Sequence, residues 1–257
     1  MSDLENKAVV VTGSSSGIGY SIAEAAISAG ASVLLHGTNE AALRECARRL
    51  GDRAKWVLAD FEKGESPKVV ASACIGAFGR IDGLVNNAGV FPRSNIETAD
   101  ASHFDRVFRV NACAPLMLCK EVIADCRRRR APGSIVNIGS INAWCGTENL
   151  LVYSMSKGSL MTMTRNLADA LSSDGIRVNQ LNVGWTLTDG EKRVQRDLGA
   201  PADWHLTVSK LAAPRGSLLV PEEVARHVVF WLSEASAPAT GSVYEVEQYP
   251  VLGRIRV

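Results

Sequence analysis

Short runs of β-branched and other apolar residues recur along this chain, each followed by a stretch whose apolar residues return at helical spacing, and that alternation leaves few folds open. The spacing predicts strands over residues 8–12, 32–35, 55–59, 83–86, 134–138, 177–181 and 243–246. It predicts helices over 18–29, 40–50, 68–78, 101–130, 151–171 and 222–233. A strand that is apolar throughout is buried on both faces, and strands that alternate with helices pair in parallel through right-handed crossovers. The expected fold is α/β: a doubly wound three-layer sandwich around a parallel sheet, with residues 1–257 as one domain. Residues 183–220 break the rhythm, with Trp185, Pro201, Trp204, Pro214 and Gly216 among polar residues, and are expected to be a substrate loop.

The first strand-to-helix junction reads VVVTGSSSGIGYSIAEAAISAG. Gly13, Gly17 and Gly19 there permit a tight turn whose backbone N–H groups approach a pyrophosphate at the positive end of a helix, as in Rossmann-like folds. A tight turn with no ligand is the competing reading. After the second strand come His36, Gly37 and Thr38, with no carboxylate to accept from a ribose or repel a 2′-phosphate. Nor does Ser16 or Thr38 supply a cationic partner, so NADP is favoured over NAD only because nothing bars it. His36 is either a phosphate donor or a strand-end residue. Asp60, in ADF after the third strand, either accepts from an adenine amino group or caps a turn. NNAG, Asn86 to Gly89, places small and amide residues where the chain passes close to a ligand or to other backbone.

In YSMSK, Tyr153 and Lys157 stand four apart on the predicted helix and therefore share a face. An ammonium roughly 5 Å from the phenol, at an effective dielectric of about 20, favours phenolate by on the order of 3 kcal/mol, about two pK units. A lowered pKa is thus expected for Tyr153; taken alone, the spacing also suits an exposed snorkelling pair. Ser140 follows a strand on the carboxyl side of the sheet, where a hydroxyl can hold a substrate oxygen. Asn111 lies inside the long helix, where an amide has little structural appeal and is expected to anchor a water beside Lys157.

TGSSSGIG, NNAG, Asn111, Ser140 and YSMSK, in this order along almost the whole chain, resemble the classical short-chain dehydrogenase/reductase family. The resemblance implies an NAD(P)-dependent oxidoreductase acting on a secondary alcohol or ketone. In it Tyr153 is the general acid/base, Ser140 polarises the carbonyl, Lys157 binds the nicotinamide ribose and lowers the tyrosine pKa, and Asn111 supports a water-linked proton relay. It further implies cofactor contacts at Gly13, Ser15, Ser16, Gly17, Ile18, Gly19, His36, Gly37, Thr38, Asp60, Phe61, Asn87, Ala88, Gly89, Tyr153, Lys157, Gly184, Thr186 and Thr188. A homo-oligomer, tetramer or dimer, is expected through the long helices. Two departures stand out: Val183 occupies the place of a family proline, and Glu247, Gln248 and Tyr249 replace a usual Asp-Gly-Gly. Stiffness of the loop after the sixth strand and conformation of the tail are therefore in question.

A formal net charge of +1 gives no global field to recruit nucleic acid or an anionic membrane. No stretch approaches bilayer-spanning length, and the N-terminus lacks a basic and then apolar leader, so a cytoplasmic location is expected. Six cysteines show no paired or His-flanked spacing, which suits reduced thiols and no metal. Trp144 and Trp185 either wall a substrate or fill core. CRRRR, Cys126 to Arg130, is either a solvated helix end or a basic rim for an acidic carrier protein. Within the family, a 3-oxoacyl reductase and a sugar or polyol dehydrogenase both remain open, and a catalytically silent nicotinamide-binding sensor is the reading from another class.

Overall fold

β1 (Ala8–Val11) is buried along its whole length, as a strand flanked by helices on both faces must be. In the computed structural model, which describes residues 3–252, it lies near the centre of one parallel sheet. The other strands are β2 (Ser32–Gly37), β3 (Ala54–Leu58), β4 (Gly83–Asn86), β5 (Gly133–Ser140), β6 (Ile176–Val183) and β7 (Val243–Val246). Their order is β3-β2-β1-β4-β5-β6-β7. Strand order reverses between β1 and β4, so the carboxyl ends of these two strands open a crevice between diverging connections, where ligands of open α/β sheets bind.

Helices α1 (Gly17–Ser28), α2 (Glu40–Leu50) and α8 (Pro221–Leu232) cover one face, packing Ile22, Leu43, Val224 and Val228 on Val9, Val11, Val33, Leu35 and Val136. On the other lie α3 (Ser66–Phe78), α5 (Ala114–Arg129) and α6 (Leu151–Ala170). Their Val70, Leu118, Val122 and Ala168 meet Val10, Leu34, Leu84, Ile135 and Val178. The alternation of β1 between the two cores is the period of two that a doubly covered strand requires.

The structure differs from the sequence-based expectation in three main respects. The helix expected over 101–130 is divided into α4 (Ala101–Phe108) and α5 by a π-helical turn, Arg109–Cys113, that contains Asn111. β5 and β6 run beyond the predicted ends at Ile138 and Leu181, because the polar residues that interrupt the apolar pattern satisfy one another. Asn86 Nδ2 donates to Asn137 Oδ1, Asn137 Nδ2 to Thr164 Oγ1, Thr164 Oγ1 to Gln180 Oε1 and Gln180 Nε2 to Asn182 Oδ1. Every member is buried, as a hydrogen-bonded polar network permits, and Asn182 Nδ2 at its end is the one amide nitrogen of these residues without a partner. A Cβ on Gly139 would overlap the Gln180 and Asn182 amides, which accounts for the glycine between Ile138 and Ser140.

Finally, residues 183–220 are not irregular throughout: they contain α7 (Asp189–Asp197). Thr188 caps it by accepting from Glu191 N, with Asp189 and Glu191 in the first turn and Arg196 in the last. Because α7 buries no residue, it has no apolar periodicity to betray it.

Candidate active site

The turn between β1 and α1 is held from below. Gly13 has φ +63° and Gly17 φ +55°, both in the left-handed region, and a Cβ on Gly13 would sit 2.9 Å from Ala88 Cα. Gly19 packs so closely on the Gly13 carbonyl that any side chain would overlap it. Thr12 Oγ1 accepts from Asn87 N and Ala88 N at 3.0 Å each, and Asn87 Nδ2 donates to the Thr12 and Gly13 carbonyls. The two loops of the crevice are thus one rigid unit. Ser16 precedes α1 without capping it through its side chain, and the first turn carries no acidic residue. N–H groups left without a carboxylate at a glycine-lined helix end suit a pyrophosphate, so the residues present fit a dinucleotide.

Not every expected contact faces this crevice. His36 is 2 % exposed, its Nδ1 accepts from Gly13 N and its Nε2 bonds the Ala59 carbonyl. Burial pushes the imidazole down to about 4. A neutral, buried ring with both nitrogens engaged braces the turn; it is no phosphate donor, which corrects the expectation for His36. Phe61 stacks on it at 4.2 Å between centroids and is likewise buried, so its side chain supports the turn from beneath. Asp60 Oδ1 accepts from Glu62 N, the capping role that was the alternative for this residue. Thr186 is buried, with its hydroxyl donated to the Gly184 carbonyl. By contrast Ser15, adjacent to the buried Gly37, and the exposed Thr38 lie at the end of β2 with no acidic side chain between them. Thr188 Cγ2 would be 3.4 Å from a Cβ on Gly17, which brings the loop after β6 against the phosphate turn. Its hydroxyl, accepting from Glu191 N, keeps a proton to donate.

The proton-handling group assembles from three elements at the carboxyl edge. Ser140 ends β5, and its side chain acts on the Tyr153 phenol from the first turn of α6 in the direction that lowers its pKa. One turn on, Lys157 Nζ lies 5.7 Å from the centroid of the Tyr153 ring and donates to the Ile138 carbonyl at 2.7 Å. A Cβ on Gly89 would lie 3.4 Å from Asn111 Oδ1 and 3.6 Å from Lys157 Nζ, so NNAG passes directly between the two. The Asn111 amide clips the backbone of Val90, accepting from its N–H and donating to its carbonyl at 2.8 Å each, and donates to Ser156 Oγ. The side chain is therefore engaged with the backbone of Val90 and with Ser156. What the sequence did not reveal is the π turn around it, a feature frequent at functional sites.

Electrostatics reverse one expectation. Burial raises the Tyr153 phenol above its ordinary value of 10, and only the hydrogen bond with Ser140 acts in the opposite direction. Burial also lowers the Lys157 ammonium from 10.5 to about 8. In the protein alone, desolvation of both groups outweighs the attraction that the helical spacing suggested, and the phenol stays protonated.

Around this group the sequence missed Phe91, whose ring meets Tyr153 edge-on at 6.1 Å. Nearby Arg93 Nε and Ser94 Oγ are buried without a hydrogen-bond partner. Both tryptophans are engaged: Trp144 Nε1 donates to Glu245 Oε1, while Trp185 Nε1 donates to Glu191 Oε1 and its ring stacks on Trp204 at 5.3 Å. The Arg127–Arg130 run lies at the opposite, amino edge, where α5 ends. Arg127 pairs with Asp174, Arg128 with Asp125, and Arg129 with Asp125 and Asp82. All six cysteines are free thiols. Among the described residues no group of three or more His, Cys, Asp or Glu side chains is placed to hold a metal ion, and no helix is long and apolar enough to cross a membrane.

A glycine-lined βα turn at the switch point of a seven-stranded parallel sheet, with a Ser–Tyr–Lys group on the same edge, defines a dinucleotide-binding α/β protein equipped for proton transfer. Comparison with known proteins makes this specific. A family model described as Enoyl-(Acyl carrier protein) reductase matches residues 13–248. 2-(S)-hydroxypropyl-CoM dehydrogenase 3 of Xanthobacter autotrophicus is 32% identical over 248 residues, covering 95% of this chain and 96% of that protein. A 3-oxoacyl-[acyl-carrier-protein] reductase of Vibrio cholerae is 30% identical, with 95% and 97% covered. Among solved structures, 3-ketoacyl-(acyl-carrier-protein) reductase from Brucella melitensis complexed with NADH superposes with a TM-score of 0.83 at 28% identity, covering 95% of this chain and 97% of that one. The chain belongs to the classical short-chain dehydrogenase/reductase family, and it is a nicotinamide-dependent oxidoreductase.

Proposed function

We propose that this enzyme moves a hydride between nicotinamide and a secondary alcohol or ketone, with Tyr153 exchanging the proton. The observation that carries the reading is Lys157 Nζ placed 5.7 Å from the centroid of the buried Tyr153 ring, with the Ser140 hydroxyl acting on the same phenol in the direction that lowers its pKa. When bound, the nicotinamide supplies the hydride acceptor or donor. In reduction Tyr153, protonated in the protein alone, gives its proton to the carbonyl oxygen as hydride reaches the carbonyl carbon; in the oxidation direction its phenolate, which the positive ring of a bound oxidised nicotinamide would favour, takes the alcohol proton. Ser140 holds the reacting oxygen. Lys157 binds the cofactor ribose, and Gly13, Ser15, Ser16, Gly17, Ile18 and Gly19 bind the pyrophosphate with Thr188 opposite. Asn111 acts by keeping Val90 and Ser156 in place.

NADP is the proposed cofactor over NAD, because Gly37 and Thr38 offer no carboxylate at the end of β2. Residues 184–220 cover the substrate. Internal pairing of Arg127, Arg128 and Arg129 at the far edge argues against a carrier-protein rim there, which leaves small alcohols, sugars and polyols ahead of a carrier-bound 3-oxoacyl group. Assembly as a homo-oligomer in the cytoplasm completes the proposal. The test is turnover: a panel of alcohols and ketones is followed by absorbance of the reduced nicotinamide with both cofactors. Tyr153→Phe is expected to keep cofactor affinity and lose activity by about 10²–10⁴-fold. Retained turnover excludes this base, and tight cofactor binding with silence across the panel favours a redox sensor.

A further inference from the structure

The dipeptide that follows β7 bonds both ends of the segment covering the site. At its start, Trp185 N donates to Glu247 Oε2 at 3.3 Å, and the carboxylate lies so close to Gly184 that a Cβ there would overlap it. At its end, Arg215 N donates to Gln248 Oε1 at 3.1 Å and Gln248 Nε2 donates to the Ser217 carbonyl at 2.9 Å. Gln248 N itself donates to Glu247 Oε1 at 2.6 Å, which ties the Glu247 carboxylate to the backbone of its neighbour. Between these points the two ends also pair through backbone: Leu187 N donates to the Leu219 carbonyl and Leu219 N to that of Trp185. α7 and Trp204 lie between these two ends along the chain.

We propose that Glu247 and Gln248 form a clasp, a pair of positioning residues that hold the 184–188 stretch against the phosphate turn and thereby set cofactor affinity. The link is short: Gly184 and Trp185 are gripped by Glu247, and three residues on Thr188 packs against Gly17. Backbone N–H groups that have a carboxylate acceptor do not drift, whereas a segment released at one end opens locally at a fraction of the global unfolding free energy. The inference rests on the proposed docking of a nicotinamide cofactor between these loops.

Its test uses the full-length protein and two readouts. Limited trypsin digestion monitors the exposed Lys192, Arg193 and Arg196 of α7 without cofactor, and fluorescence titration measures affinity for NADH and NADPH. Glu247→Ala and Gln248→Ala are expected to be nicked at α7 about tenfold faster and to bind cofactor about tenfold more weakly, as release of one anchoring contact implies. Glu247→Gln, which keeps an acceptor for Trp185 N, is expected to stay within about threefold of wild type in both. Unchanged nicking and affinity in the alanine variants overturn the clasp. So does an equal loss in Glu247→Gln and Glu247→Ala, or a lower Tm without selective nicking at α7. A wild-type protein that binds neither cofactor would refute the proposed function instead, while the digestion comparison still decides whether the clasp exists.

Discussion

Replacing Lys157 by methionine should make the protein more stable at neutral pH while removing its activity. Burial brings Lys157 from 10.5 down to about 8, a gap of about two and a half pH units, worth roughly 3 kcal/mol against the folded state wherever the folded amine is charged. Its hydrogen bond to the Ile138 carbonyl, at 2.7 Å, offsets much of that, since a bond from a charged donor contributes about 1.5–3 kcal/mol. Methionine has nearly the same length and no charge, so the net gain at pH 7 is about 1 kcal/mol, or a Tm higher by about 2–4 °C for a chain of this size. The sign with pH follows from the folded value lying below the unfolded one. Between pH 8 and 10.5 the unfolded chain binds more protons, so wild-type stability rises through that window as the penalty is lost. Lys157→Met lacks this rise, and its advantage should vanish toward pH 10. Urea denaturation at several pH values between 7 and 9.5, with turnover measured in parallel, reads both effects. A variant less stable than wild type at pH 7, or an offset constant with pH, would show that the ammonium is not held against a desolvation cost, and the account of the site would fail with it.

Two further outcomes follow from residues under the phosphate turn. His36, held near 4 in the fold against 6.5 for the free group, is neutral when the unfolded chain already takes up a proton. Stability should therefore fall by up to roughly 3 kcal/mol as pH drops from 6.5 to 4. His36→Gln should flatten that slope while lowering stability at pH 7 by about 1–3 kcal/mol through the lost ring bonds; thermal melts across the range check both. Gly13→Ala puts a Cβ 2.9 Å from Ala88 Cα on a residue with φ +63°, and should cost about 1–3 kcal/mol and weaken NADPH binding in the same preparation. Unaltered affinity there would separate the turn from the cofactor.

Much of this enzyme was legible before any coordinates. The layer architecture follows from apolar runs that local chemistry makes into strands and helices, and the phosphate turn from glycines whose backbone freedom no other residue shares. Tyr153 and Lys157 face the same way because helical periodicity demands it. The reading failed where a residue's role depended on partners distant in sequence. The predicted strands end at Ile138 and Leu181, yet β5 and β6 run on to Ser140 and Val183, where buried Asn137, Gln180 and Asn182 join a hydrogen-bonded chain with Asn86 and Thr164. His36 looked like a ligand contact, and is a brace because Gly13 and Ala59 converge on its ring.

Sequence alone therefore determined the strands and most of the helices, their parallel pairing, and the shared helix face of Tyr153 and Lys157, since these follow from periodicity and residue type within short windows. Only the tertiary structure decided the direction of the Tyr153 pKa, the occupation of the Asn111 amide by Val90 and Ser156, and the grip of Glu247 on the loop after β6. Desolvation and long-range hydrogen bonding exist only once strands and helices have closed around a site, and no local pattern carries them.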